Sequence, residues 1–141
     1  MEERKACGEL LKKINDELEK NANNALRSQD LTLTQLGALL ELNSAADGQL
    51  TLKELEKRLH IAQSTAAGIV SRLERKALVA SFGDLEDRRI KIVKITSAGI
   101  ERVQKTDSHR IKAEERLLSG LTETEKSIFY SLLKKVCDTL Q

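Results

Sequence analysis

Four charged residues, Glu86, Asp87, Arg88 and Arg89, stand side by side at the head of the one convincing β-type run in a chain that otherwise reads as helical. An aspartate two positions before an arginine can hold its guanidinium in a bidentate contact, aiming a planar fork of donors in one direction. A guanidinium so aimed suits the minor groove of DNA, whose narrow width and negative potential attract it. Arg89 is therefore the side chain expected to enter such a groove, with Asp87 as its brace. The competing reading is a surface ion pair that holds a hairpin tip, worth about 0–1 kcal/mol.

A second group lies upstream. Gln63, Ser64, Thr65 and Gly68 are small or hydrogen-bonding, the types needed where a helix backbone must approach base edges. Glutamine matches adenine N6 and N7, while serine and threonine serve as adaptable donors and acceptors. Ser71, Arg72 and Arg75 continue the same face, where arginines reach bases or phosphates. Taken alone, a helix with Ser, Thr and Arg on its wet side is equally an ordinary surface.

The elements that must position these groups can be read from local signals. In LTLTQL (31–36) and LTLKEL (50–55), Thr32 with Gln35 and Thr51 with Glu54 form capping boxes, and Leu31/Leu36 and Leu50/Leu55 form staples. Residues 43–49, NSAADGQ, read as a turn. Leu52, Leu55 and Leu59 face inward from a short helix, and 60–62, HIA, connects it to a helix over 63–77 whose apolar face is Ala66, Ile69, Val70 and Leu73. Two short helices and such a turn describe a helix-turn-helix, whose second helix enters the major groove. The period then changes to about two: LVASF (78–82) and IKIVKI (90–95) flank the polar loop 83–89 as a hairpin. Ile90 and Ile92 share one face and Val93 and Ile95 the other, so the pattern leaves the buried face open. A hairpin directly after the second helix makes a winged helix.

Longer amphipathic helices flank this region. The first spans 4–27, with Cys7, Leu11, Ile14, Leu18, Ala22 and Ala25 on one side. Another starts at Thr96 or Ser97 and carries Ile100, Val103, Ile111, Leu117 and Leu118. The last opens on the capping box Thr122…Glu125 and carries Phe129, Leu132, Leu133, Val136, Cys137 and Leu140. The fold class expected is mainly α with a small β-hairpin wing.

Composition bounds the function. The chain has 141 residues, a net charge of +2, 33% charged residues and no proline, as suits one largely helical domain. Residues 52–94 hold ten Lys/Arg against six Asp/Glu, so the positive excess sits in the middle of the chain, a mild pointer to nucleic acid. No stretch approaches the roughly 20 apolar residues of a membrane span, and the acids early in MEERKACGELLKKIND do not suit a targeting peptide. Two cysteines are too few for a disulfide scaffold, and a reducing cytoplasm is expected. His60 and His109 belong to no metal-spaced cluster; no nucleophile–base pair or phosphate-binding glycine loop is present. No metal, no cofactor and no catalysis are expected.

In TLKELEKRLHI (51–61), STAAGIVSRLERKALV (64–79) and DRRIKIVKITSAG (87–99), the chain resembles the MarR family of bacterial winged-helix transcription regulators. The most specific parts are Asp87-x-Arg89 and the hydrophobic-Thr-x-x-Gly of Ile95, Thr96 and Gly99; LTETEKSIFYSLLKKV (121–136) matches the family's final helix. The resemblance implies a homodimer built on 1–30 and 97–141, with 31–96 as the winged DNA-binding region of one intertwined domain. It implies double-stranded DNA as partner and a pseudo-palindromic operator. The 63–76 helix would lie in the major groove and the wing in the minor groove, most often in repression. Many members release DNA when a small aromatic or phenolic acid binds, so a small-molecule effector belongs to the expected partners.

Departures from the family pattern carry expectations of their own. Ala77 stands where glycine usually ends the recognition helix, so a different ending is expected. Ser81 stands where many relatives have a wing arginine, and Asp84 and Glu86 add negative charge; the wing should then lean on Arg88, Arg89 and Lys91. Some members sense oxidants through a first-helix cysteine, which makes Cys7, and with it Cys137, redox candidates by resemblance. The residues argue the other way, because both lie on apolar stripes where a buried thiol acts as a small hydrophobe, with only Arg4 and Lys5 nearby to lower its pKa. The acidic wing also keeps a second class open, a winged-helix protein-interaction module that does not read DNA.

Overall fold

The computed structural model describes residues 6–141; the helix start at residue 4 and the neighbours Arg4 and Lys5 lie outside the described residues. The element order is α1 (Cys7–Leu26), a 3-10 turn (Arg27–Gln29), α2 (Leu33–Ser44), a second 3-10 turn (Ala46–Gly48), β1 (Gln49–Thr51), α3 (Leu52–Leu59), α4 (Gln63–Arg75), β2 (Val79–Gly83), β3 (Lys91–Ile95), α5 (Ser97–Leu117) and α6 (Glu123–Leu140). The chain divides into two compact units, Met1–Asp107 and Ser108–Gln141.

All three capping boxes form, at Thr32/Gln35, Thr51/Glu54 and Thr122/Glu125, each with both reciprocal hydrogen bonds. The staple leucines Leu31, Leu36, Leu50 and Leu55 are buried in the core of the first unit, together with Leu39, Leu42, Leu73, Leu78 and Val93. Apolar positions on α2, α3 and α4 thus meet over one small sheet.

That sheet has three antiparallel strands in the order β1-β3-β2. The hairpin is present, with Val79 opposite Ile95 and Phe82 opposite Ile92. The segment read as a turn over 43–49 ends instead in a strand, with Leu50 opposite Val93. A three-residue strand is too short to display a period. Its pairing settles the face: Val93 and Ile95 are buried, Ile92 is half-buried and Ile90 exposed.

The Thr-x-x-Gly motif joins sheet to α5. Thr96 donates its N–H to the Leu78 carbonyl (3.0 Å). Its hydroxyl donates to the Ala77 carbonyl (2.7 Å) and accepts from the Gly99 N–H (3.1 Å), capping the helix. A Cβ on Gly99 would stand 2.3 Å from the Leu78 carbonyl oxygen, so this approach requires glycine.

Three helix ends share one device. Asp30, His60 and Ala77 all take the left-handed conformation, with φ of 52°, 53° and 60°. In each, paired bonds close the turn: Leu31 N–H to Leu26, Ile61 N–H to Glu56 and Leu78 N–H to Leu73, beside the tighter bonds of Asp30, His60 and Ala77 to Arg27, Lys57 and Glu74. This is the Schellman ending, normally built on glycine. Contrary to expectation, Ala77 does not change how α4 ends; it adopts the glycine geometry and carries the strain of a Cβ there. Ala77→Gly is expected to raise stability by about 0.5–1 kcal/mol, the relief exceeding the entropy glycine adds to the unfolded chain. A urea midpoint that falls in this variant would refute that account.

The cysteine expectation is corrected. Cys7 and Cys137 are free and exposed, not buried. So are many of their apolar neighbours, including Leu10, Leu11 and Ile14 on α1 and Leu132, Val136 and Leu140 on α6. Leu18, Ala22, Ala25, Phe129 and Leu133 are half-buried. On α5, Val103 is buried as expected, but Ile100 and Ile111 are exposed. Amphipathic spacing identifies a face and not what covers it.

Candidate nucleic-acid interface

The turn between α3 and α4 is made by His60 in its left-handed conformation, and it sets α4 with Ala66, Ile69, Val70 and Leu73 on the core. The opposite face follows from that registration. Gln63, Ser64, Thr65, Ser71, Arg72 and Arg75 are exposed, and Gly68 is half-buried. Sequence reasoning placed all seven on this face, and the structure brings them together there.

The N-cap of α4 is Ala62, which offers no side-chain acceptor, in contrast to the capping boxes of α2, α3 and α6. The first-turn N–H groups of α4 are thus left for an acceptor from outside, at the positive end of the helix dipole. Arg72 folds its guanidinium back toward Gly68, where Nη1 would lie 3.3 Å from an added Cβ. A cleft of about 600 Å³ between α2, α3 and α4 is floored by Leu33, Leu59 and Ile61 and edged by Ser64, Thr65 and Arg72.

The wing loop is closed by the Asp84 N–H on the Ile90 carbonyl (2.9 Å) and the Ile90 N–H on the Asp87 carbonyl (3.0 Å). Within it Arg89 forks onto Asp87, with Nε to Oδ1 at 3.0 Å and Nη2 to Oδ2 at 3.1 Å. The Arg89 backbone N–H adds a third bond at 3.1 Å. The Arg89 side chain is nevertheless 91% exposed, against 35% for Asp87. Hydrogen bonds from the Arg89 side chain, then from its backbone, hold the Asp87 carboxyl below its ordinary pKa. The same side-chain contact raises that of Arg89. Arg88 is exposed beside it.

Two wing residues stand differently. The Ser81 hydroxyl donates to Glu74 Oε1 on α4, and Lys91 Nζ lies 3.7 Å from the same oxygen. Lys91, expected at the DNA, is thus ion-paired to the recognition helix, and Ser81 ties β2 to it. Sequence reasoning missed Glu74, because nothing local links it to Ser81 or Lys91 before the wing folds against α4. Among the described residues no group of three or more His, Cys, Asp or Glu is placed to hold a metal ion. None of their helices is long and apolar enough to cross a membrane.

The sequence pattern of the MarR family matches residues 29–90. The chain is 31% identical over 93 residues to the uncharacterized HTH-type transcriptional regulator YwaE of Bacillus subtilis, covering 66% of this chain and 54% of that protein. It is 30% identical over 101 residues to the HTH-type transcriptional repressor MdtR of the same organism, covering 72% and 64%. The match therefore spans little more than half the length of the first relative and just under two thirds of the second. Among solved structures, MepR of S. aureus in complex with DNA superposes with a TM-score of 0.87 at 27% identity, covering 96% of this chain and 99% of that one. The three-stranded sheet on a helix-turn-helix is thus a known fold, and over residues 29–90 the chain carries the pattern of the MarR family of transcriptional regulators.

Proposed function

We propose that the protein acts in the cytoplasm as a homodimer that binds a pseudo-palindromic operator and represses transcription. The observation that carries the reading is Arg89, held in two directions by Asp87 yet almost wholly exposed at the wing tip. Such a guanidinium is pre-oriented, with Nε and one Nη2 hydrogen on Asp87 and its three other N–H donors left for a groove. In each half-site Gln63, Ser64, Thr65 and Gly68 approach base edges in the major groove, while Ser71, Arg72, Arg75 and Arg88 serve bases or phosphates. The uncovered apolar stripes of α1 and α6 supply the dimer surface. The similarity to MepR, solved in complex with DNA, and to the transcriptional repressor MdtR supports this reading. The activity is binding and not catalysis.

The test is selection from a random duplex pool with reduced protein at about 0.15 M salt. A palindrome with half-sites roughly 34–36 Å apart is expected. The second reading, an interaction module, is favoured by Asp84 and Glu86 and by Leu85, which is 97% exposed at the wing. It requires no enrichment by a folded dimer and no salt-dependent binding to generic duplex.

A further inference from the structure

Lys76 is the C-cap residue of α4. Its ammonium donates to the Asp30 carbonyl and to Gln35 Oε1 at 2.9 Å, and lies 3.7 Å from the Asp30 carboxylate. Gln35 Oε1 also accepts from the Thr32 N–H, closing the capping box of α2. One residue earlier, Arg102 of α5 donates to the Gln29 carbonyl.

Residues 29 and 30 end the helical run of α1 and its 3-10 extension. Carbonyls at such an end lack helical partners and form the negative pole of the dipole. Two consecutive ones are each met by a cation from another element, one from α4 and one from α5. With three oxygens around it and its side chain only 24% exposed, Lys76 is occupied by the protein.

We infer that Lys76 is a positioning residue: it locks the end of the recognition helix onto the joint between α1 and α2. The inference rests on the dimeric DNA reading proposed above. If α1 carries the dimer, this lock sets how far apart the two copies of α4 stand, and so the half-site spacing the protein accepts. A lysine that instead contacted phosphate would contribute to salt-dependent affinity for any sequence.

The test compares the full-length protein with Lys76→Met, which keeps the aliphatic stem, and Lys76→Arg, which keeps donors. Each is titrated with the selected operator and with versions whose half-sites are one base pair closer or farther. Wild type is expected to lose about tenfold in affinity on either change, Lys76→Met less than about threefold, and Lys76→Arg to behave as wild type. The salt slope should be equal in all three. In parallel, hydrogen exchange of the amides at 29–33 should quicken in Lys76→Met. Undiminished spacing discrimination in Lys76→Met, or a salt slope reduced by about one, would overturn the inference. Should wild type itself bind no operator, the DNA reading fails; the exchange measurement then decides the lock, faster exchange upholding it and unchanged exchange removing it. If Lys76→Met does not fold, Lys76→Gln, which removes the charge and shortens the side chain, takes its place in both measurements.

Discussion

Gly99→Ala is expected to destabilise the protein by about 3 kcal/mol or more, an overpacking effect at the upper end of its usual range. In an exposed helix the same change would stabilise by about 0.5–1 kcal/mol. Here the new methyl carbon would meet the Leu78 carbonyl oxygen at 2.3 Å and Ile95 Cγ1 at 2.6 Å. The first is backbone in the joint that Thr96 ties together with three hydrogen bonds, so relief requires the joint to open. Gly8→Ala is the matched control, because nothing lies within 4 Å of its added carbon; it should stabilise α1 slightly. Urea unfolding of both variants decides the matter. A loss below about 1 kcal/mol in Gly99→Ala would mean that the joint yields freely and does not hold the wing.

Arg89→Ala is expected to weaken operator binding by about 1–3 kcal/mol. That result alone would not separate groove insertion from general charge. Asp87→Ala separates them, since removing an acid from a DNA-facing loop should tighten binding if only charge matters. If the brace matters, operator affinity falls in Asp87→Ala while affinity for generic duplex does not. Tighter operator binding would remove Asp87 from the mechanism. The brace also has a defined pH range. The Asp87 carboxyl is held below its usual value by Arg89, so the contact is complete above about pH 4. It is released only as the pH falls through the lowered value. Operator affinity measured between about pH 6 and 8 should show no step from this group.

Half-buried Ser81 and exposed Lys91 illustrate how a sequence reading can place a residue on an element without giving its partners. Both were located on the wing, yet each is engaged by Glu74 of α4. An arginine at position 81 would project charge; serine there instead makes a short bridge to the recognition helix. Lys91 is in turn partly neutralised by the same carboxylate. The wing's outward charge accordingly rests on Arg88 and Arg89, with Asp84 and Glu86 opposing it.

What the sequence determined by itself is everything that depends on neighbours a few residues apart. The capping boxes at Thr32, Thr51 and Thr122 form because their two partners lie three residues apart, whatever the rest of the chain does. The inward face of α4 follows from a 3.6-residue period, and with it the outward set from Gln63 to Arg75. The Asp87–Arg89 fork is equally local, as both partners sit in one short loop. Tertiary structure decided the rest. The three-residue β1 has no period of its own and exists because β3 offers it a partner. That pairing put Val93 and Ile95 in the core where the alternation had left the choice open. Ala77 takes a left-handed conformation because Leu78 must be buried on the far side of the turn, a demand that overrides the residue's own preference. Glu74 and Lys76 act across large sequence separations, reaching the wing and the α1–α2 joint. Charges meet at such distances only after the chain has folded, so no spacing along it announces them.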